Sequence, residues 1–356
     1  MDEHVLIPPY AVLRNFVDER HASMGSALIY HRGTIWGPVS FGAASFFPEA
    51  GPPPTRPLYD LASVTKVVAT TTAILLLLDQ GTLRLDDRLG AFWPQVPQDK
   101  QDLTVRQLLT HTAGLEPWLP VYASIQDRAE AVDWILQQPL KSRPGSEVAY
   151  SCMGFIVLGM LVEHLTGQNL AVFVKEHVFD PLGMAETMYN PPAAYLDRIP
   201  YTEWCPRRRI FLRGIVHDEN AQAMGGISGN AGLFSTLEDL AAFARCLLER
   251  GQGPAGRLLS SLTVEMLFRS HTAGLNEARS LGWLAKDRMA SSGGDLLSGQ
   301  AIGHTGFTGT SLWIDPALDA CFILLTNRVH PQRENPAIVA LRPRFHNAAA
   351  AFLAKQ

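Results

Sequence analysis

Three short stretches of this chain carry side chains whose types and spacing could do chemistry. The first is Ser63-Val64-Thr65-Lys66. If a helix begins near Ser63, positions i and i+3 share one face, so the Lys66 ammonium can approach the Ser63 hydroxyl. A serine at a helix start also meets unpaired N–H groups and the positive end of the helix dipole, a field that stabilises an alkoxide or an oxyanion. Apolar surroundings lower the pKa of a lysine, so Lys66 is expected to accept a proton. The plainer alternative is a serine capping a core helix, with a surface lysine one turn on.

The second stretch, Pro144-Gly145-Ser146-Glu147-Val148-Ala149-Tyr150-Ser151-Cys152, runs from a turn into a short extended piece. It places Tyr150 just before an apolar helix. A phenol beside an ammonium ionises more readily and can shuttle a proton. The alternative is a tyrosine ring packed in the core. The third stretch, Gly303-His304-Thr305-Gly306-Phe307-Thr308-Gly309-Thr310, precedes a strand. Glycines there let a ligand approach the backbone, and His304 could donate a hydrogen bond or hold positive charge beside an oxyanion. The alternative is a turn with a surface histidine. No one of the three decides the matter alone.

The elements that must position these residues follow from periodicity. Residues 9–22 read as an amphipathic helix, and Gly25–Tyr30 with Thr34–Phe41 as a β-hairpin. An apolar helix runs from Ser63 to Gln80 and stops at Gly81. Thr104 is expected to cap a helix through Leu109, and Asp127–Gln138 and Phe155–Leu165 read as further helices. Ser235 with Glu238 has capping-box spacing ahead of Leu240–Leu248. Thr310–Ile314 and Ala320–Thr326 read as strands, and Asn347–Leu353 as a closing helix. Strands at both ends with helices between predict an α+β fold: an antiparallel sheet from both chain ends, flanked by helices, with an inserted helical lobe. The boundaries expected are 1–85 and 255–356 for the discontinuous sheet domain and 86–254 for the lobe, with the site at their junction.

Composition narrows the function. The 356 residues are 47% hydrophobic and only 18% charged, which excludes a disordered chain. With 30 basic against 34 acidic residues there is no basic face, so nucleic acid is not an expected partner. The apolar run from Val67 to Leu78 is too short for a membrane span. The start, MDEHVLIPPY, does not read as a signal peptide. The expectation is therefore a cytoplasmic protein, or an extracytoplasmic one if a leader has been removed. Cys152, Cys205, Cys246 and Cys321 form neither a CxxC pair nor a zinc pattern. His217-Asp218-Glu219-Asn220 cannot readily converge on one ion, so it is read as a loop near the site rim and no metal is expected. No GxSxG elbow occurs, and the glycines 225, 226, 229 and 232 match no nucleotide fingerprint.

The order and mutual spacing of the three stretches resemble the serine β-lactamase and penicillin-binding protein superfamily. The similarity is to the branch of class C β-lactamases, D-alanyl-D-alanine carboxypeptidases and related esterases. That branch carries S-x-x-K, Y-x-N and often H-x-G, here Ser63-Val64-Thr65-Lys66, Tyr150-Ser151-Cys152 and His304-Thr305-Gly306. Leu108-Leu109-Thr110-His111-Thr112-Ala113-Gly114-Leu115, Gly232-Leu233-Phe234-Ser235-Thr236 and Leu281-Gly282-Trp283 resemble further family stretches, so the likeness spans about residues 10–350. It implies Ser63 as acylated nucleophile, Lys66 and Tyr150 as base and proton relay, and an oxyanion hole from the Ser63 and Phe307 N–H groups. It further implies a substrate-binding role for Cys152, His304, Thr305 and Gly306, a structural buried role for His111, and no cofactor. The expected partner is a small-molecule substrate, whether a simple ester, a D-amino-acid amide or peptide, or a β-lactam; oligomeric state is left open. One departure stands out: Cys152 occupies the family's Asn position, and a thiol is a poor hydrogen-bonding substitute for an amide. Weak β-lactamase activity is therefore expected. The competing reading is a catalytically silent binding or regulatory module.

Overall fold

Alternate side chains of the terminal strands point to opposite faces of the sheet, and this decides the layering. The computed structural model describes residues 6–47, 51–286 and 291–356. Pro8–Asp18 forms helix α1, opened by prolines whose missing N–H groups cost nothing in a first turn. It buries Tyr10, Leu13, Phe16 and Val17. Met24–His31 and Thr34–Gly42 form the hairpin β1–β2. Tyr59–Asp60 is a short strand β3. After it, Ala62–Val64 makes a 3-10 turn, Lys66–Thr71 a π-helical stretch and Thr72–Asp79 helix α2. The α-helix expected from Ser63 thus starts late, and the wider π geometry coincides with Lys66, as π segments often do at functional sites. Gly81 ends the run at φ +72°, as expected. The window Ala62–Asp79 is apolar (mean hydropathy 1.5), and 83% of it is buried inside the fold, as in a core helix.

Val105–Leu109 (α3) opens with Thr104 and Gln107 in a reciprocal capping box. Cys152–Thr166 forms α4, capped by the Ser151 side chain and closed by Gly167 at φ +67°. Met188–Tyr189 is β4, Glu219–Ala223 is α5 and Leu233–Ser235 is β5. Leu237–Leu248 is α6, capped by Thr236 rather than by the Ser235 expected. Ser235 lies inside β5 opposite Tyr59, and its hydroxyl is already bonded to Thr187 at 2.7 Å, which moves the cap one residue on. Leu284–Ala285, Ile302–Thr305, Ser311–Asp315 and Ala320–Thr326 are β6 to β9. Ile338–Leu353 is α7, which starts earlier than expected and carries Pro343 within it.

The six-stranded sheet has the order β6-β7-β8-β9-β1-β2, all antiparallel, so the first and last thirds of the chain meet at β1 and β9. Gly25 pairs with Thr326 and His31 with Ala320. Ala27 and Ile29 with Phe322 and Leu324 face α1 and α7. Leu28 and Tyr30, with Cys321, Ile323 and Leu325, face the helical body that holds α2, α4 and α6. With both faces covered, β1 and β9 are buried along almost their whole length and mostly apolar. A small sheet, β3-β5-β4, takes β4 and β5 from the region expected to be helical, and its strand β3 leads the chain into the Ser63 turn.

Candidate active site

Ser63 sits on a turn held from three sides. Asp60 pairs with Phe234 of β5, and Leu61 N–H donates to Leu233 O at 2.9 Å. Ala62 then takes φ +47°, a left-handed conformation that costs a residue with a Cβ roughly 1–3 kcal/mol. Buried Asp60 steadies it: Oδ1 accepts Ala62 N–H at 2.8 Å and Oδ2 accepts His217 N–H at 2.6 Å. Burial pushes the Asp60 carboxyl up, and these two N–H groups pull it partly back. The Thr308 and Thr310 hydroxyls donate to the Asp60 and Leu61 carbonyls, both at 2.8 Å, tying the turn to the β7–β8 connection.

Lys66 is fully buried, and its three ammonium protons all have partners. Nζ donates to Ser63 Oγ at 2.9 Å, to Asn230 O at 2.9 Å and to Cys152 Sγ at 3.5 Å. The expected fall in its pKa is overturned. Burial does push the ammonium down, but the facing Cys152 and Tyr150 outweigh it, and the net direction is up. Burial raises the Tyr150 phenol, with Lys66 opposing and Ser63 also in hydrogen-bonding contact. At rest the pair is therefore an ammonium and a neutral phenol.

Rings and cations surround Tyr150. The His111 ring centroid lies 4.6 Å away and that of His304 6.0 Å. Lys66 Nζ is 5.1 Å from the Tyr150 ring centroid, and the Arg279 guanidinium carbon is 5.3 Å from it. His111 is buried, and its Nδ1 accepts Ser151 N–H at 3.0 Å, which puts the proton of the neutral ring on Nε2. That agrees with a structural, hydrogen-bonded histidine. His304 is equally buried, with Nδ1 bonded to Thr305 O at 2.9 Å and Nε2 without a partner among the described residues. Desolvation, helped by Lys66 and Arg279, holds His304 well below the usual histidine value, so it does not carry the positive charge considered for it.

Ser63, Tyr150, His304, Thr305, Gly306 and Phe307 line one cavity of about 750 Å³. The N–H groups of Ser63 and Phe307 make no hydrogen bond among the described residues. Gly306 brings the two segments together: a Cβ there would lie 2.4 Å from Leu61 O. Behind the loop, Arg328 Nε donates to Phe307 O at 2.8 Å and Arg342 Nη2 to Gly306 O at 2.6 Å. Cys152 does not line the cavity; it sits against Lys66 at the start of α4. Sequence reasoning missed Asp60, Arg279, Arg328 and Arg342. Only Asp60, three residues before the serine, stood close enough to a motif to be noticed. The segment 217–220 is no simple loop: Asp218 caps α5 through Ala221 N–H at 2.7 Å, and His217 Nε2 bonds Glu203 at 2.9 Å. Buried Asn220 accepts Tyr122 N–H and donates to Leu119 O, pinning the loop before residue 126. No group of three or more metal-ligating side chains is assembled among the described residues.

An antiparallel sheet from both chain ends, helices on its two faces and a serine–lysine–tyrosine group beside the sheet define a β-lactamase/transpeptidase-like fold. The β-lactamase family model matches residues 11–342, and the chain belongs to that family. An Escherichia coli (strain K12) protein with the provisional name D-alanyl-D-alanine carboxypeptidase is 35% identical over 312 residues, covering 79% of this chain and 71% of the relative. The N-acetylmuramyl-L-alanine amidase of Bacillus subtilis (strain 168) is 33% identical over 318 residues, covering 80% and 72%. Among solved structures, a penicillin-binding protein homologue from Caulobacter crescentus superposes with a TM-score of 0.76 at 18% identity, covering 99% of this chain and 100% of that one. The protein is a hydrolase of this family.

Proposed function

We propose that the protein is a serine acyl hydrolase working through a covalent acyl-enzyme on Ser63. The observation that carries this reading is the 2.9 Å contact between Ser63 Oγ and buried Lys66 Nζ, in a cavity lined by Ser63 and Phe307, whose N–H groups have no hydrogen-bond partner among the described residues. In the reaction, Ser63 Oγ attacks the carbonyl carbon while its proton passes to the Lys66–Tyr150 pair. The carbonyl electrons move to the oxygen, which the N–H groups of Ser63 and Phe307 would hold. Each such donor is typically worth about 3–4 kcal/mol in the transition state. The pair then protonates the departing oxygen or nitrogen, and water repeats the sequence to free the acid. A pair that rests as ammonium and phenol must lose one proton before it can act as base, so acylation should rise with pH. Its apparent pKa belongs to the pair and not to either residue.

The substrate classes supported are a small ester, a D-amino-acid amide or peptide, and a β-lactam. The relatives named carboxypeptidase and amidase favour the amide class, whereas Cys152 at the Asn position favours esters. Gly306, Thr305 and His304 would line the leaving-group side. The cleft would lie between the sheet part, 1–85 with 255–356, and the helical part, 86–254. Intact-mass spectrometry after exposure to a p-nitrophenyl ester, a cephalosporin and a D-alanyl-D-alanine peptide tests this, with Ser63→Ala as control. The acyl mass retained names the class. No Ser63-dependent adduct with any of them, or with a fluorophosphonate, would leave a silent binding module instead.

A further inference from the structure

We propose that Arg279, anchored by Glu277, is a positioning residue for Tyr150 that sets how readily the Ser63–Lys66–Tyr150 group gives up its first proton. The inference rests on Tyr150 being the proton carrier. Tyr150 lies in an irregular segment between a Pro-Gly turn and α4, so nothing in its own secondary structure fixes the ring. The segment 272–279 supplies what is missing. Asn276 pairs with Val148 as a strand would, Oδ1 accepting Val148 N–H at 2.7 Å and Nδ2 donating to Val148 O at 3.0 Å. Thr272 Oγ1 donates to Glu277 O at 2.7 Å and accepts Arg279 N–H at 2.8 Å, closing the segment on itself.

On that brace, the Arg279 guanidinium is buried and stands 5.3 Å from the Tyr150 ring centroid. Nε and Nη2 both donate to Glu277 Oε2, at 3.0 and 2.9 Å, while Nη1 has no acceptor among the described residues. The guanidinium stands over the electron-rich face of the Tyr150 ring, which grows richer when the phenol ionises. Other groups around the phenol are Lys66 from the π stretch, Ser63 from its turn, Cys152 from α4, His111 after α3 and His304 from β7. Both histidines lie well below the usual imidazole value and are neutral near pH 7, and Arg279 is one cause in each case, so its field reaches this pocket. The cations facing the ring are then Lys66 and Arg279, and only Arg279 has a carboxylate bonded to it. Glu277 attenuates that charge.

Two substitutions should move the acid limb of kcat/KM in opposite directions. Arg279→Gln removes a positive charge that favours the deprotonated pair, so the limb moves up by about one pH unit. Glu277→Gln unmasks the same charge, so the limb moves down by roughly half a unit. Arg279→Lys keeps the charge but loses the two-pronged bond, so kcat falls while the limb stays near that of the parent. A merely structural brace would lower activity without opposed shifts. Where turnover is too weak to profile, ultraviolet titration of tyrosinate, with Tyr150→Phe subtracted, should show the same two directions. Limbs or titrations that stay put, or move together, in a protein whose turnover depends on Ser63 would overturn the role of Arg279 alone. Turnover surviving in Ser63→Ala would overturn the nucleophile assignment and this inference with it.

Discussion

Gly306→Ala is the sharpest probe of how the site is assembled. A Cβ at residue 306 would lie 2.1 Å from Thr310 Oγ1, 2.4 Å from Leu61 O and 3.3 Å from Ala62 Cβ. Carbon and oxygen settle near 3.4 Å or beyond, so the β7–β8 loop must back away from the Ser63 turn by roughly 1 Å. The Thr310 hydroxyl cannot simply rotate clear, because it is bonded to Leu61 O at 2.8 Å. The displacement separates the Phe307 N–H from the Ser63 N–H, the two donors proposed to share one oxyanion. A misplacement of about 1 Å costs on the order of 10²-fold, and complete loss of one donor 10²–10³-fold in kcat. We expect kcat on a p-nitrophenyl ester to fall by about 100- to 1000-fold with KM little changed. The overpacked turn should also lose about 1–3 kcal/mol of stability. Stopped-flow burst kinetics measure the first effect, and thermal melts by circular dichroism confirm that the variant is folded. A folded variant whose kcat stays within about threefold of the parent would show that this loop supplies no donor.

Three further outcomes follow from other contacts. Cys152→Asn should raise the ratio of lactam or amide turnover to ester turnover; an unchanged ratio removes Cys152 as a specificity determinant. Asp60→Asn leaves an amide donor facing one of two backbone N–H groups, so stability should drop by about 2 kcal/mol and acylation slow by roughly tenfold. Acylation at the parental rate in that variant would show the braced turn to be irrelevant to chemistry. For Glu203, burial raises the carboxyl, but bonds from His217 and Arg333 more than reverse this and hold it at about 2. Its folded value lies below the ordinary 4.5, so its stabilisation is present above about pH 4.5 and fades as pH falls toward 2. The stability gap between parent and Glu203→Gln in urea melts should therefore be widest near neutrality, at most about 3 kcal/mol, and close toward about pH 2. A gap independent of pH would contradict the assignment.

Much of the site was legible because its members announce themselves by type and local spacing. Ser63 and Lys66 share a turn whatever the helix type, Tyr150 stands just before a helix start, and His304 stands among glycines at the end of β7. Their supports were hidden for a physical reason. Asp60 works by two backbone bonds, one to His217, and Arg279 by reaching over a ring 129 positions away; neither leaves a periodic trace. The direction of the Lys66 shift was misread because burial was visible in the apolar run around it, whereas Cys152 and Tyr150 lie far along the chain. The hairpin and the paired terminal strands read correctly from short apolar runs bounded by turn residues. The small sheet did not, because its strands are two or three residues long. Pro343 concealed the first turns of α7, which tertiary contacts through Leu341 and Phe345 hold in place.

Pairing β1 with β9 also orders events in time. Gly25 cannot find Thr326 until the long stretch between them has been made, and contacts this distant in sequence are slow to form. The helical body can gather its own core earlier, since α2, α4 and α6 lie between those strands. The β7–β8 loop, which brings Phe307 to Ser63, arrives only with the last strands of the sheet. A chain that has not yet closed the sheet therefore holds the serine and lysine but no cavity around them, and the proposed acylating site is completed late in folding.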